Sequence, residues 1–317
     1  MDNWNIWDID EFETDENFGN NAKLYELFKQ GYGYYKGIGY NEDVKKAVDL
    51  LYKAAESGLV IAEYTLGHVL GYTSLSNYNG SGIGITSRNQ AKIKSTEYFK
   101  RAALKGHIGA QYEYSLALLT GKGCEKNLSE SYRWLKHAAD TVDMDKYKKM
   151  LKEYEYCKLP KKDMEVFEKA LISKPQYSLG ERYRSGDYFE KNPELAVKYY
   201  KNAAENGNPM ALFAMGCAYR YGWGVGFHMG KSDNYFQRLR EYDTENCFNQ
   251  DVWWDLYTSY ERLGYCIEHG FSSEKDIQTA EFYYSRAREV IKESVLDESF
   301  CSLSDYYNEL IRSMAKR

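Results

Sequence analysis

The chain has 317 residues, 28% of them charged, and a formal net charge of −5. This mild acidic excess argues against a nucleic-acid-binding protein, because such proteins neutralise phosphates with a surplus of lysine and arginine. No stretch approaches the roughly 18 consecutive apolar residues of a membrane span, so we expect none. The six cysteines form no CxxC motif and the first residues do not resemble a signal peptide, which favours reduced cysteines in a cytoplasmic protein.

The N-terminal segment, residues 1–21, is acidic and aromatic. It holds seven acidic residues and no basic one, with Trp4, Trp7 and Phe12 among them. Two interpretations stay open. The segment is either a capping terminus with little regular structure, or it docks in a groove of this protein or of a partner.

The first predicted unit is a helix, a loop and a second helix. Apolar residues at helical spacing predict the first helix over Ala22–Tyr35. A loop with Gly37 and Gly39 ends it, since glycine reaches left-handed backbone conformations at little steric cost. Asn41 or Asp43 is placed to cap the second helix, which we expect to end before Gly58.

The end of this second helix recurs along the chain. Its clearest copies are YKAAESG at 52–58, FKRAALKG at 99–106, LKHAAD at 135–140 and YKNAAENG at 200–207. The second alanines of these copies are 48, 36 and 65 residues apart, and degraded copies follow at Arg240 and Arg288. Such a recurrence indicates one structural unit repeated along the chain, with insertions between some copies.

The pattern of the unit resembles the Sel1-like repeat, a relative of the tetratricopeptide repeat. In the first unit the matching residues are Gly31, Gly37, Gly39, Ala47, Ala54, Ala55 and Gly58. A reference position in the first helix of each unit, normally glycine, is occupied by Gly31, Gly67, Ser115, Gly180, Gly216 and Gly264. Six units in phase make this resemblance far more specific than one unit would.

The resemblance implies an all-α fold, a right-handed α-solenoid (an alpha-alpha superhelix) of stacked helix–loop–helix repeats. We expect one solenoid over 22–294, a degenerate helical hairpin within it at 145–174, and a C-terminal capping helix at 295–317. The six repeats are expected at about 22–61, 62–109, 110–144, 175–210, 211–247 and 255–294. The insertion at 73–90 contains GSGIG, but without a preceding strand it does not indicate a phosphate-binding loop, and we expect it to protrude.

No pattern of catalytic or metal-binding residues appears in the sequence. The five histidines are scattered, and none has a histidine or cysteine partner at metal-ligand spacing. There is no Gly-x-Ser-x-Gly motif, and no cysteine lies in a nucleophile signature. We therefore predict no catalytic residue, no metal and no cofactor.

Groove positions are assigned by analogy with tetratricopeptide packing, relative to the reference glycine. They lie three residues before it, and one and four residues after it, on the first helix of each unit. The candidates for protein binding are Phe28, Tyr32, Tyr35, Tyr64, His68, Tyr112, Tyr177, Glu181, Arg184, Phe213 and Arg220. The aromatic residues either pack between helices or contact a ligand. The residues one and four positions after the reference glycine differ more from unit to unit than those before it. This variation favours Arg184 and Arg220 as determinants of specificity.

The resemblance implies a scaffold or adaptor that binds a protein or peptide partner in the concave groove. The first alternative is an inhibitor or immunity-type protein that neutralises one partner enzyme. An enzyme and a self-assembling array are further alternatives. The oligomeric state stays open.

Overall fold

The computed structural model describes residues 16–140, 161–186, 190–240, 253–270 and 275–293. Every regular element among them is helical, as predicted. One short 3-10 helix covers Leu75–Asn77. The α-helices are α1 Glu16–Lys36, α2 Val44–Glu56, α3 Val60–Tyr72, α4 Arg88–Leu104, α5 Ile108–Thr120, α6 Leu128–Asp140, α7 Lys161–Ser185, α8 Pro193–Glu205, α9 Pro209–Tyr221, α10 Met229–Arg240, α11 Trp253–Glu268 and α12 Ile277–Glu293. None of these helices combines the length and apolarity that crossing a membrane requires.

The chain divides into two compact units, residues 1–164 and 165–317. In the first unit α1 packs on α2, α3 on α4 and α5 on α6, and each such pair also contacts the next through α2 and α3 or α4 and α5. In the second unit α8 packs on α9, α9 on α10 and α11 on α12, while α9 and α10 both contact α11. Consecutive helix pairs thus stack within each unit, which confirms the all-α solenoid class.

Most helix starts are capped by a side chain from the residue just before the helix. Asp43 rather than Asn41 caps α2, accepting a 2.9 Å hydrogen bond from the backbone N–H of Lys46. Asn208 caps α9 in the same way, at 3.0 Å from the N–H of Ala211. These contacts satisfy backbone donors that the first turn of a helix leaves without a partner.

The two helices of a repeat lie in close contact at the reference glycine. A Cβ atom added to Gly216 would lie 2.6 Å from the ring of Phe236, far inside van der Waals contact. The same relation joins an aromatic ring of the second helix to the reference glycine in three further repeats: Gly67 with Phe99, Gly180 with Tyr200, and Gly264 with Tyr284. Glycine is required at these positions because the ring occupies the space of a side chain.

A small buried residue of each second helix faces the same seam. In three repeats it is serine, and its hydroxyl donates a hydrogen bond to the carbonyl of the reference residue. These bonds join Ser95 to Gly67 at 2.7 Å, Ser131 to Ser115 at 2.7 Å and Ser232 to Gly216 at 2.9 Å. In the other three repeats the residue is the buried Ala47, Ala196 or Ala280.

The insertion at 73–90 does not simply protrude, contrary to expectation. The side chain of Tyr78 is fully buried, and its hydroxyl donates to the carbonyl of Leu70 at 3.3 Å. The backbone N–H of Gly82 donates to Asp49 Oδ1 of α2 at 2.7 Å. The insertion brings its own aromatic core residue, so it folds back onto α2 and α3.

Two helices extend beyond the predicted borders of their repeats. Helix α1 begins at Glu16, six residues before the predicted start at Ala22. Helix α7 runs unbroken through Pro175, so it joins the end of the predicted hairpin to the fourth repeat. Residues 1–15, the first part of the hairpin and the predicted C-terminal helix lie outside the described residues, and the predicted domain organisation stays a prediction.

Candidate protein-binding surface

The predicted groove residues lie on the first helices, but three of the aromatic ones are buried. Phe28, Tyr64 and Phe213 are 2%, 8% and 1% exposed. The ring of Tyr64 stacks on His107 at 4.1 Å, and that of Phe213 meets Phe236 edge-on at 5.9 Å. These contacts agree with the packing interpretation of the aromatic column. A role of these residues in ligand binding stays a prediction.

Arg184 lies within an internal polar network on α7. Its side chain is 7% exposed, and its Nε and Nη2 atoms donate to Glu181 at 3.2 Å and 3.0 Å. The hydroxyl of the buried Tyr200 also donates to Glu181, and the ring of Tyr177 lies 5.7 Å from that of Tyr200. Burial, and then the nearby Glu181 carboxylate, raise the pKa of Tyr200. The charge of Arg184 is therefore matched inside the protein, and its predicted role in specificity remains untested.

The remaining predicted residues are partly exposed. On α1 the ring of Tyr32 stacks on Phe28 at 5.8 Å, and Lys36 lies over the ring of Tyr35 at 4.6 Å. Tyr112 on α5 and Arg220 on α9 are likewise half-buried. The partly exposed candidates thus occur on first helices of both units, and the most exposed aromatic residue of α3 is one that the prediction did not include.

That residue is Tyr72, the last residue of α3, which is 55% exposed. Its hydroxyl donates a 2.6 Å hydrogen bond to Glu113 on α5. The ring of His68 stacks beside it at 5.2 Å, and Lys122 Nζ lies 4.1 Å from its ring centre. We refer to His68, Tyr72, Glu113 and Lys122 as the Tyr72 platform.

Local structure explains how the platform forms. Residues Tyr64, His68 and Tyr72 are spaced by four and therefore share one face of α3. Helix α5 ends at Gly121, which adopts a left-handed conformation with φ of 74°. The chain thereby turns and places Lys122 beside Tyr72. Burial lowers the pKa of Lys122, and the carboxylate of Glu113 opposes this effect.

Of the platform residues, only His68 is among the predicted groove residues. The predicted groove position four residues after the reference glycine is the buried Gly71 in this repeat. Continuing the helical spacing from His68 by four residues would have identified Tyr72. Nothing in the sequence pattern marked Glu113, because its role depends on which helix packs beside α3.

Electrostatically the platform combines one aromatic face with charges of both signs at its edge. His68 Nε2 lies 3.8 Å from Glu113 Oε1, so a protonated His68 would form an ion pair with that carboxylate. The second histidine nearby, His107, is fully buried and accepts a 3.1 Å hydrogen bond from the backbone N–H of Ala110. Burial lowers the pKa of His107 to about 3, so this residue stays neutral and serves the helix start.

The described residues contain no cluster of three or more histidine, cysteine or acidic side chains arranged to hold a metal ion. Cys217 and Cys266 are buried, and burial raises the pKa of Cys217 to about 12. A thiol with so high a pKa is a poor nucleophile.

Solved structures similar to this chain are also Sel1-type repeat proteins. A Sel1 repeat protein from Oxalobacter formigenes matches with a TM-score of 0.56 and 19% identity, over 91% of this chain and 100% of that one. A protective antigen of uropathogenic Escherichia coli strains, displaying an SLR fold, matches with a TM-score of 0.37 and 20% identity, over 96% of this chain and 64% of that one. No curated protein sequence matches the chain.

A family model identifies the repeat from the amino-acid sequence. The model of the Sel1 repeat matches residues 24–59, 68–107, 108–140, 176–208, 209–226 and 259–289. These segments make up more than half of the chain; five of them overlap a helix pair described above, and residues 209–226 overlap α9 alone. The chain belongs to the Sel1 repeat family.

Proposed function

We propose that this protein is an interaction scaffold that binds a peptide or protein segment across the exposed face of its first helices. Stacked repeats expose an extended surface of this kind, and repeat proteins commonly bind partners there. Sel1 repeat proteins are generally non-catalytic scaffolds, and family membership therefore supports binding over catalysis.

The Tyr72 platform is the observation that carries the proposal. Tyr72 is 55% exposed to solvent, although its hydroxyl is bound to Glu113 and its ring stacks on His68. An exposed ring held in place loses little conformational freedom when a ligand covers it. Tyrosine is also among the residues that most often dominate binding energy at interfaces. The platform therefore supports docking of an aromatic or aliphatic side chain of the partner.

The test is affinity capture from a lysate of the source organism, read by quantitative mass spectrometry. Three forms of the full-length protein are compared: wild type, Tyr72→Ala, and Phe282→Ala as a matched control. Phe282 is exposed to a similar extent, 57%, but lies on α12 in the second unit. Capture with both variants is normalised to their helix content by circular dichroism.

We expect partners that are retained by wild type and Phe282→Ala but reduced at least about tenfold by Tyr72→Ala, as for a residue worth more than 1.4 kcal/mol. Equal capture by all three forms would contradict a role of the platform. Several partners would support an adaptor, while one stoichiometric enzyme would favour the inhibitor alternative. Failure to capture any protein above the bare matrix would contradict the scaffold proposal.

A further inference from the structure

We propose that a second surface, on helices α8 and α10 of the second unit, binds a short acidic peptide segment of a partner protein. The surface is a cleft whose lining includes Lys201, Tyr219, Lys231, Tyr235 and Arg238. We refer to it as the cationic cleft. It goes beyond the scaffold function proposed for the Tyr72 platform, which belongs to the first unit.

The lining of the cationic cleft has three permanent positive charges and no acidic side chain. Lys201 is 57% exposed, and its one carboxylate neighbour among the described residues, Glu205, lies 3.8 Å away and is 58% exposed. Lys231 makes no ion pair among the described residues, and its Nζ atom lies 5.2 Å from the ring centre of Tyr219. Three permanent cations thus face one neighbouring carboxylate, so the cleft keeps an excess of positive charge.

A second repeat provides an internal comparison for Arg238. Arg101 and Arg238 occupy the same position of the repeat. Arg101 lies two residues before the second alanine, Ala103, and Arg238 lies two residues before Arg240, which replaces that alanine in the fifth repeat. Both donate an Nη2 hydrogen bond to the second alanine of the preceding repeat: Arg101 to Ala55 at 3.1 Å and Arg238 to Ala204 at 3.0 Å. The backbone setting of the two guanidinium groups is therefore alike.

The two arginines differ in their carboxylate partners. Arg101 donates to Glu56 at 2.6 Å and to the buried Glu63 at 3.0 Å. For Arg238 the residue at the register of Glu63 is the buried Leu212, and no carboxylate lies within ion-pair distance of Arg238 in the described part of the chain. In the second repeat two carboxylates of the protein thus neutralise the arginine, whereas in the fifth repeat the arginine keeps a positive charge without such partners.

Two tyrosine rings complete the cleft. Tyr219 and Tyr235 stack at 5.8 Å with an interplanar angle of 15°, and the guanidinium of Arg238 lies 5.4 Å from the ring of Tyr235. Arginine and tyrosine are enriched at protein interfaces, where charge-assisted hydrogen bonds to carboxylates are combined with apolar contact. The cleft therefore fits a peptide that presents glutamate or aspartate beside an apolar or aromatic residue.

The test measures binding of a fluorescein-labelled peptide, GEEYEEG, to the full-length protein by fluorescence anisotropy. The matched peptide GQQYQQG has the same length and no acidic side chain. The variants are Lys231→Gln and Arg238→Gln, with Lys198→Gln as the control. Lys198 is an exposed lysine of α8 that lies over Tyr199 and outside the cleft. Circular dichroism establishes that each variant is folded.

We expect the acidic peptide to bind at least about tenfold more tightly than the glutamine peptide at about 50 mM salt, and the difference to shrink at about 300 mM. Lys231→Gln and Arg238→Gln should each weaken binding about fivefold or more, while Lys198→Gln changes it less than about twofold. Tyr72→Ala should leave this binding unchanged, which separates it from the scaffold test.

Three results would overturn the inference. The first is equal affinity for the two peptides. The second is a loss with Lys198→Gln as large as that with the cleft variants, which would indicate general attraction to a charged surface. The third is displacement of the peptide by inorganic phosphate but not by sodium chloride of equal ionic strength, which would assign the cleft to phosphate instead.

Discussion

The ring of Phe236 lies so close to Gly216 that any Cβ atom at residue 216 would be 2.6 Å from a ring carbon. In the first repeat the partner of the reference glycine is instead Leu51, and the corresponding distance from Gly31 is 3.0 Å. The third repeat has Ser115 at the reference position and Leu135 at the register of Phe236. Where the second helix presents an aromatic ring, the reference residue is thus glycine. Where it presents leucine, the reference residue is glycine in the first repeat and the larger serine in the third.

Gly216→Ala is therefore expected to destabilise the protein. Overpacking costs about 1–3 kcal/mol, against a gain of up to about 1 kcal/mol in helix propensity. Urea denaturation followed by circular dichroism measures the free energy of unfolding. Gly31→Ala is the control, because the flexible Leu51 can move away, and it should cost less. Adding Phe236→Leu to Gly216→Ala should recover part of the loss; additive effects of the two substitutions would contradict direct contact between the residues.

Arg88 ties the insertion at 73–90 to the end of α3. Its Nη1 atom donates to the carbonyls of Leu70 at 3.1 Å and Thr73 at 2.7 Å, and its Nη2 atom donates to Gly71 at 2.7 Å. Arg88→Lys keeps the charge but cannot span three carbonyls with one ammonium group. We expect it to lower the free energy of unfolding by about 1–3 kcal/mol. Limited proteolysis within 73–90 should also accelerate, whereas unchanged cleavage would contradict the anchoring role.

Glu63 is expected to matter more for stability than Glu56, although both bind Arg101. The side chain of Glu63 is fully buried and also accepts from Lys105 at 2.9 Å, whereas that of Glu56 is 45% exposed. Glu63→Gln removes the buried carboxylate that accepts charge-assisted hydrogen bonds from both Arg101 and Lys105, so it should cost about 2 kcal/mol or more, and Glu56→Gln about 0–1 kcal/mol. The measurement is urea denaturation at low and high salt. Equal effects of the two substitutions would refute this ranking.

His107 should make stability depend on pH. Because burial lowers its pKa in the folded state to about 3, the unfolded state, with a pKa near 6.5, binds the proton more tightly. The stability that neutral His107 contributes is therefore fully present above about pH 6.5. It is lost as the pH falls towards about 3, and the free energy of unfolding then decreases by at most about 1.4 kcal/mol per pH unit.

His107→Asn is the variant that isolates this dependence. Asparagine is the residue that caps α9 at the equivalent Asn208, so the cap is kept while the titrating group is removed. The free energy of unfolding between about pH 4 and 7 should fall more steeply for wild type than for the variant. Parallel pH profiles would contradict the prediction, because they would mean that His107 binds protons equally in the folded and unfolded states.

The repeat pattern in the sequence was enough to predict the all-α solenoid class of this protein. Recurrent alanine pairs and glycine loops predicted the helix pairs. Two helices can approach closely only where small residues lie between them, and such residues recur along the sequence at nearly regular spacing. The start of α2 shows the limit of such patterns. Asn41 and Asp43 both suit a helix cap, and the backbone conformation selects Asp43.

The tertiary structure alone decided which residues are available for binding. Phe28 and Phe213 share a sequence position with half-buried tyrosines, yet burial removes them from the surface. Tyr72 becomes a platform because Glu113 of α5 lies beside it. The charge of Arg238 has no carboxylate within ion-pair distance among the described residues, because the buried Leu212 stands where the second repeat has Glu63. Local periodicity specifies each helix, but exposure and charge balance depend on contacts between helices that are distant in sequence, and no single segment contains that information.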